Sequence, residues 1–134
     1  MKNLEEIYVS PHSKAKLSLT ENGFVDSDGI EFTKTGGIID FIYPNDLPQS
    51  DTESIAWYKD NAAVYDQFLP MTFDTFGVDE DVERMKMIEL LKIEKHHKIL
   101  ETGCGTGRDS EKIANQLGDE GKLFLQDILD LSSS

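Results

Sequence analysis

A mixed α/β fold is what this chain predicts, and three observations carry the expectation. Residues 98–127 read as strand, glycine turn, helix and strand. Residues 17–42 alternate short apolar runs with tight-turn signals, and two stretches between them repeat apolar residues every three or four positions. The first observation says most. Ile99-Leu100 runs directly into Glu101-Thr102-Gly103-Cys104-Gly105-Thr106-Gly107, and a second apolar run, Leu123-Phe124-Leu125, stands just before Asp127.

The elements follow in chain order. Leu17-Ser18-Leu19-Thr20 and Phe24-Val25-Asp26 flank Glu21-Asn22-Gly23, and Asn-Gly is a strong hairpin signal. Ser27-Asp28-Gly29 leads into Ile30-Glu31-Phe32-Thr33, and Gly36-Gly37 precedes Ile38-Ile39-Asp40-Phe41-Ile42. These runs predict a small antiparallel meander, too small to stand alone and expected to pack on something else. Pro44, Asn45, Asp46, Pro48 and Ser50 mark a linker, which divides the chain into a β-rich module, residues 1–46, and a second region, residues 47–134.

In the second region Ser50-Asp51-Thr52-Glu53 reads as a capping box opening a helix. Ile55, Tyr58, Ala62, Tyr65 and Leu69 form its apolar face, and Pro70 is expected to end it. A second helix is signalled by Asp79, Glu80 and Asp81, with Val82, Met85, Ile88 and Leu91 as its buried stripe. Lys92 and Lys95 complement its C-terminal dipole. A third helix, from about Arg108 to Leu117, is expected to bury Ile113, Ala114 and Leu117 and to stop at Gly118. With its two flanking strands it makes one β-α-β unit, whose crossover should be right-handed.

Composition narrows the function. The chain has 134 residues, 38% hydrophobic and 29% charged, enough for one ordinary domain or two very small ones. Its net charge of −13 argues against a nucleic-acid surface, which needs clustered Lys and Arg, and suits a solvated, self-repelling exterior. No apolar stretch approaches the ~20 residues of a membrane span, and Glu5 and Glu6 stand where a signal peptide would be apolar. The one cysteine, Cys104, allows no internal disulfide and suits a reducing cytoplasm. No internal repeat is present, and Ser132-Ser133-Ser134 is the one low-complexity stretch.

The chemistry lies in the glycine turn. Glycines at alternate positions let the backbone pass through conformations that a Cβ blocks, and let a nucleotide-like ligand approach N–H groups at a helix start. Asp127 follows Gly107 by twenty residues, a distance that suits a carboxylate accepting bonds from ribose hydroxyls. The nicotinamide and flavin fingerprint G-x-G-x-x-G needs glycine at position 108, where Arg108 stands, so a nicotinamide-dependent oxidoreductase is set aside. Cys104 has no base at either neighbouring position and reads as a small, tolerated residue rather than a nucleophile. His96 and His97 read as turn residues, since adjacent side chains point in different directions and share no metal.

The pattern acid-x-G-x-G-x-G resembles motif I of the class I S-adenosylmethionine-dependent methyltransferases, throughout Lys98 to Asp109. Gly121 to Ile128 resembles that family's second strand and ribose-binding acid, with Leu125 where relatives often carry glycine. Asn61 to Asp66, and the helix of Glu83-Arg84, resemble segments preceding motif I in quinone-biosynthesis-type and related small-molecule methyltransferases. The resemblance covers about residues 52–130. It implies a Rossmann-like fold, S-adenosylmethionine as cofactor and a small-molecule methyl acceptor. It also implies the site residues. Glu101 organises the turn and the amino end of the methionine moiety, and Gly103, Cys104, Gly105 and Gly107 line the cofactor's approach. Asp127 holds the ribose. Tyr65 either covers the cofactor or is a core aromatic of its helix. No catalytic base is named.

That family's sheet is doubly wound with helices on both faces, whereas two strands are offered here and seven residues follow Asp127. The resemblance therefore implies a cofactor-binding half, either the N-terminal part of a longer protein or a truncated product, inactive or weak by itself. It is expected to expose apolar surface and to dimerise, swap elements or be marginal alone. The competing expectation is a non-catalytic interaction module in which the glycine turn is vestigial. At the other end, Ser10-Pro11-His12-Ser13, Gly29 and Thr35 to Phe41 resemble small zinc-ribbon-like modules attached to, or partnering with, methyltransferases. Ser10 and Ser13 stand in place of the first cysteine pair, and the second pair is missing too. His12 alone cannot supply the four ligands of a tetrahedral zinc, so a metal-free module is expected.

Overall fold

The computed structural model describes residues 7–129; Glu5, Glu6 and the closing serines lie outside them. The chain divides into two units, Met1–Gln49 and Ser50–Ser134. Its architecture is mixed α/β: a four-stranded antiparallel sheet, three helices and a two-stranded parallel sheet.

The N-terminal unit is a meander of β1 (Ser18–Thr20), β2 (Gly23–Val25), β3 (Glu31–Thr35) and β4 (Ile38–Ile39), each paired with the next. Thr20 pairs with Gly23, so the first loop is Glu21-Asn22 and Gly23 already belongs to β2. Its glycine is demanded by the neighbouring strand rather than by the turn. At φ 146°, a Cβ on Gly23 would lie 2.1 Å from the Phe32 carbonyl oxygen. Thr35 pairs with Ile38 across the two-residue turn Gly36-Gly37, shorter than the run to Ile42 expected for β4. Leu17, Phe24 and Phe32 are buried, and Phe41 closes the core with its ring centroid 5.5 Å from Phe32 and 5.3 Å from Tyr8.

The C-terminal unit runs α1 (Gln49–Thr75), α2 (Glu80–Leu90), β5 (Lys98–Thr102), α3 (Arg108–Ala114) and β6 (Lys122–Gln126). β5 and β6 are parallel, in register from Lys98–Lys122 to Thr102–Gln126. α3 is the crossover between them; it contacts β6 and α2, and Ile113 of α3 and Ile88 of α2 are buried.

The structure departs from several of these expectations. α1 opens at Gln49, which puts Ser50 inside its first turn. Pro70 does not end it. The helix continues to Thr75, because the Asp66 carbonyl that loses its helical donor at Pro70 is satisfied by Arg108 Nη2 at 3.1 Å. None of its residues is buried; Ile55, Ala62, Leu69 and Phe73 are half-buried along one side, and Tyr58 and Tyr65 are exposed. On the opposite side Trp57, Val64, Phe68 and Met71 make a second, exposed apolar stripe.

α2 starts as expected, with Asp79 Oδ1 accepting the Val82 N–H at 3.0 Å. Of its expected stripe, Ile88 is buried and Met85 half-buried, while Val82 and Leu91 are exposed. The more covered side is instead the row Glu80, Arg84, Ile88, whose polar half is held by ion pairs. α3 ends at Ala114, three residues short of Leu117, and Ala114 is exposed. Gly118 N–H reaches the Lys95 carbonyl at 2.8 Å and draws the chain back onto the α2–β5 connection. Among the described residues, no helix is long and apolar enough to cross a membrane.

Candidate functional site

The bend that follows β5 hangs from the end of β6. The N–H groups of Gly103 and Cys104 both donate to the Gln126 carbonyl, at 2.7 and 3.2 Å. Gly103, Gly105 and Gly107 have φ of 67°, 52° and 84°, left-handed values that other residues adopt only under strain. A Cβ on Gly103 or Gly105 would meet no atom within 4 Å, so side chains do not plug the bend.

Asp127, one residue beyond β6, turns back onto the bend. Its Oδ2 accepts the Gly105 N–H at 2.7 Å, and its Oδ1 accepts the Leu129 N–H at 3.0 Å. Each oxygen keeps a further lone pair for another donor. Glu101 is half-buried, and its Oε2 is shut off from solvent with no hydrogen-bond partner among the described residues. An acceptor stranded in that way is costly, so the position calls for a donor. Burial pushes the Cys104 thiol up, and the charges of Asp127 and Glu101 push it further the same way. The thiol is therefore held neutral, without the thiolate that a nucleophile needs, and both carboxylates bear on the bend.

Glu101, Cys104, Asp127 and the three glycines thus come together. Tyr65 is exposed, its ring 6.5 Å from that of Tyr58, which removes the reading of it as a core aromatic.

Its neighbour Asp66 was missed. Thr106 Oγ1, in the middle of the bend, donates to Asp66 Oδ1 at 3.2 Å, and Arg108 Nε lies 3.6 Å from the same oxygen. Arg108 Nη1 also holds Glu80, at 3.1 and 3.2 Å, and Arg84 bridges Glu80 at 2.8 Å and Asp109 at 2.7 Å. One signal lay in the sequence: Asp66 stands four residues before Pro70, so its carbonyl had to find a donor outside the helix. A hollow lined by Ile88, Glu89, Lys92, Ile93 and Gln116 includes none of these residues.

Among the described residues, two groups have ligand atoms close enough to share a cation. Histidines 96 and 97 do not point apart: their ligand atoms and that of Glu94 lie within 4.8 Å of one another. His97 Nδ1, however, already accepts the Glu94 N–H at 3.1 Å. In the N-terminal unit His12 is not alone, since Asp26 and Asp28 complete a similar group. His12 Nε2 lies 3.2 Å from Asp28, while Asp26 Oδ1 accepts the N–H groups of Asp28 and Ile30 and its Oδ2 accepts the Ser10 hydroxyl, each at 2.9 Å. Ser10 Oγ in turn accepts the N–H groups of His12 and Ser13, both at 3.1 Å. Two turns are cross-linked there by a single buried O–H···O bond.

No family model matches the chain, and no curated protein or solved structure matches it either.

Proposed function

We propose that the bend at residues 103–107 is the cofactor half of an S-adenosylmethionine-dependent methyltransferase site of Rossmann-like type, serving a small-molecule acceptor. The observation that carries the reading is the open bend with two carboxylates beside it, Asp127 bonded to its central glycine and Glu101 two residues before its start. Of its three left-handed glycines, Gly103 and Gly105 leave the outer side clear, Asp127 sits against Gly105, and the Glu101 Oε2 lacks a donor among the described residues. That set suits a ligand with hydroxyls at one end and a cationic ammonium at the other. The two negative charges that raise the Cys104 thiol favour a cation in the same place.

Bound there, S-adenosylmethionine supplies an activated methyl group. The chain's own part is to hold and orient it: Asp127 by its spare lone pairs, the glycines by close approach, and Glu101 by accepting the donor it lacks. No residue is assigned as base.

A second reading has its own support. Both Asp127 oxygens are already engaged, and α1 exposes an apolar stripe, as a non-catalytic interaction module with a vestigial bend would. Calorimetric titration with S-adenosylhomocysteine separates the two. Binding that is lost in Gly105→Val and Asp127→Ala supports the methyltransferase reading, and absence of heat with a folded protein supports the module.

A further inference from the structure

We propose that Asp66 is a positioning residue for the glycine bend: it docks α1 there, so that α1 docking and occupancy of the bend rise and fall together. The inference deepens the functional reading above and rests on it for its ligand.

Three observations carry it. Thr106, between two of the bend's glycines, donates to Asp66 Oδ1 at 3.2 Å. Pro70 leaves the Asp66 carbonyl without its helical donor, and Arg108 Nη2, from the residue directly after the bend, takes that carbonyl at 3.1 Å. Finally, α1 has no buried residue. The attachments it shows along its length include half-buried apolar contacts, Arg84 stacked 5.7 Å from the Phe73 ring, and the Asp66 group.

The far end of Arg108 is fixed by Glu80, which Arg84 also grips. Arg108 thus joins α1, the bend and α2, and a shift of the bend disturbs Asp66 through both Thr106 and Arg108. A ligand that immobilises residues 103–107 immobilises these two partners as well. It lowers the freedom that α1 must give up on docking, so each event favours the other. By linkage, loosening α1 weakens the ligand by the same factor.

Hydrogen exchange read by mass spectrometry on the full chain tests this, with S-adenosylhomocysteine as the probe. In the parent protein the probe is expected to slow exchange in residues 61–75 as well as in 103–107. Asp66→Ala is expected to exchange faster in 61–75 without ligand, to lose the ligand-dependent protection there, and to bind about fivefold more weakly. Asp66→Asn, which keeps the acceptor for Thr106, should fall between the two. Thr106→Val should weaken binding in the same direction and add little in combination with Asp66→Ala.

Unchanged exchange in 61–75, or faster exchange spread equally over β5 and β6, would overturn the proposal, the latter because it marks a merely structural role. Failure of the parent protein to bind the probe overturns the ligand reading and the coupling. The ligand-free comparison then decides the docking alone: acceleration confined to 61–75 supports it, and none refutes it.

Discussion

Replacing Ser10 by alanine asks whether one hydroxyl holds two turns of the N-terminal unit together. Ser10 is fully buried; its Oγ accepts the N–H groups of His12 and Ser13 and donates to Asp26. Alanine keeps the backbone bonds of residue 10, to Ala15 and from Lys14, but strands two amides and removes a donor from a buried carboxylate. Each lost bond is worth about 1 kcal/mol net, and orphaned buried groups cost more, so the total should be about 3 kcal/mol.

A unit of about fifty residues has a stability on the order of 2–7 kcal/mol, so Ser10→Ala should remove a large share of it. A shift of 12 °C or more in that unit's melting temperature corresponds to roughly this loss. The assay is urea unfolding followed through the backbone amide resonances of Phe24 and Phe32. Tryptophan fluorescence is unsuitable, since Trp57 belongs to α1 and reports the other unit. An unchanged midpoint at Phe24 and Phe32 would refute the reasoning, because it would mean that the Ser10–Asp26 bond carries no weight.

Three further outcomes are expected. Burial pushes the Asp26 carboxyl up, but the Ile30 N–H, the Ser10 hydroxyl, the Asp28 N–H and His12 together hold it below its ordinary value. The folded unit therefore favours the ionised form: its urea midpoint should stay level from neutral pH to about pH 5, then fall as acid protonates Asp26, and a rise on acidification would contradict this. Gly23→Ala should destabilise the same unit by about 3 kcal/mol in denaturant, through a forbidden φ and a clash with the Phe32 carbonyl; a loss below about 1 kcal/mol would mean that β3 yields easily. Cys104, with its thiol raised, should react with iodoacetamide at pH 8 more slowly than a free cysteine, and an equal or faster rate would contradict its neutral state.

The elements were most legible where one local rule acted alone. Period-two runs between glycine turns marked the meander, and the strand-turn-helix-strand order marked β5, α3 and β6. What was missed depended on neighbours in space. The clash that makes Gly23 necessary comes from Phe32, which one strand's sequence does not reveal. Pro70 reads as a stop by its own chemistry, yet Arg108 supplies the missing donor from across the unit. At the candidate site, Glu101, Asp127 and the glycines were legible because their spacing is local to one β-α-β unit. Asp66 was not, since its role arises only where α1 meets the bend. The ligand-atom groupings around His12 and His96 were hidden for the same reason: sequence adjacency says little about where side chains converge.

The central claim is tested most directly by recording amide resonances of the isotopically labelled chain as S-adenosylhomocysteine is added. The account predicts saturable shifts at Gly103, Gly105, Gly107 and Asp127, with the Gly105 amide moving furthest as its bond to Asp127 is rearranged. Shifts confined to other residues, or none at millimolar ligand with a folded spectrum, would contradict it.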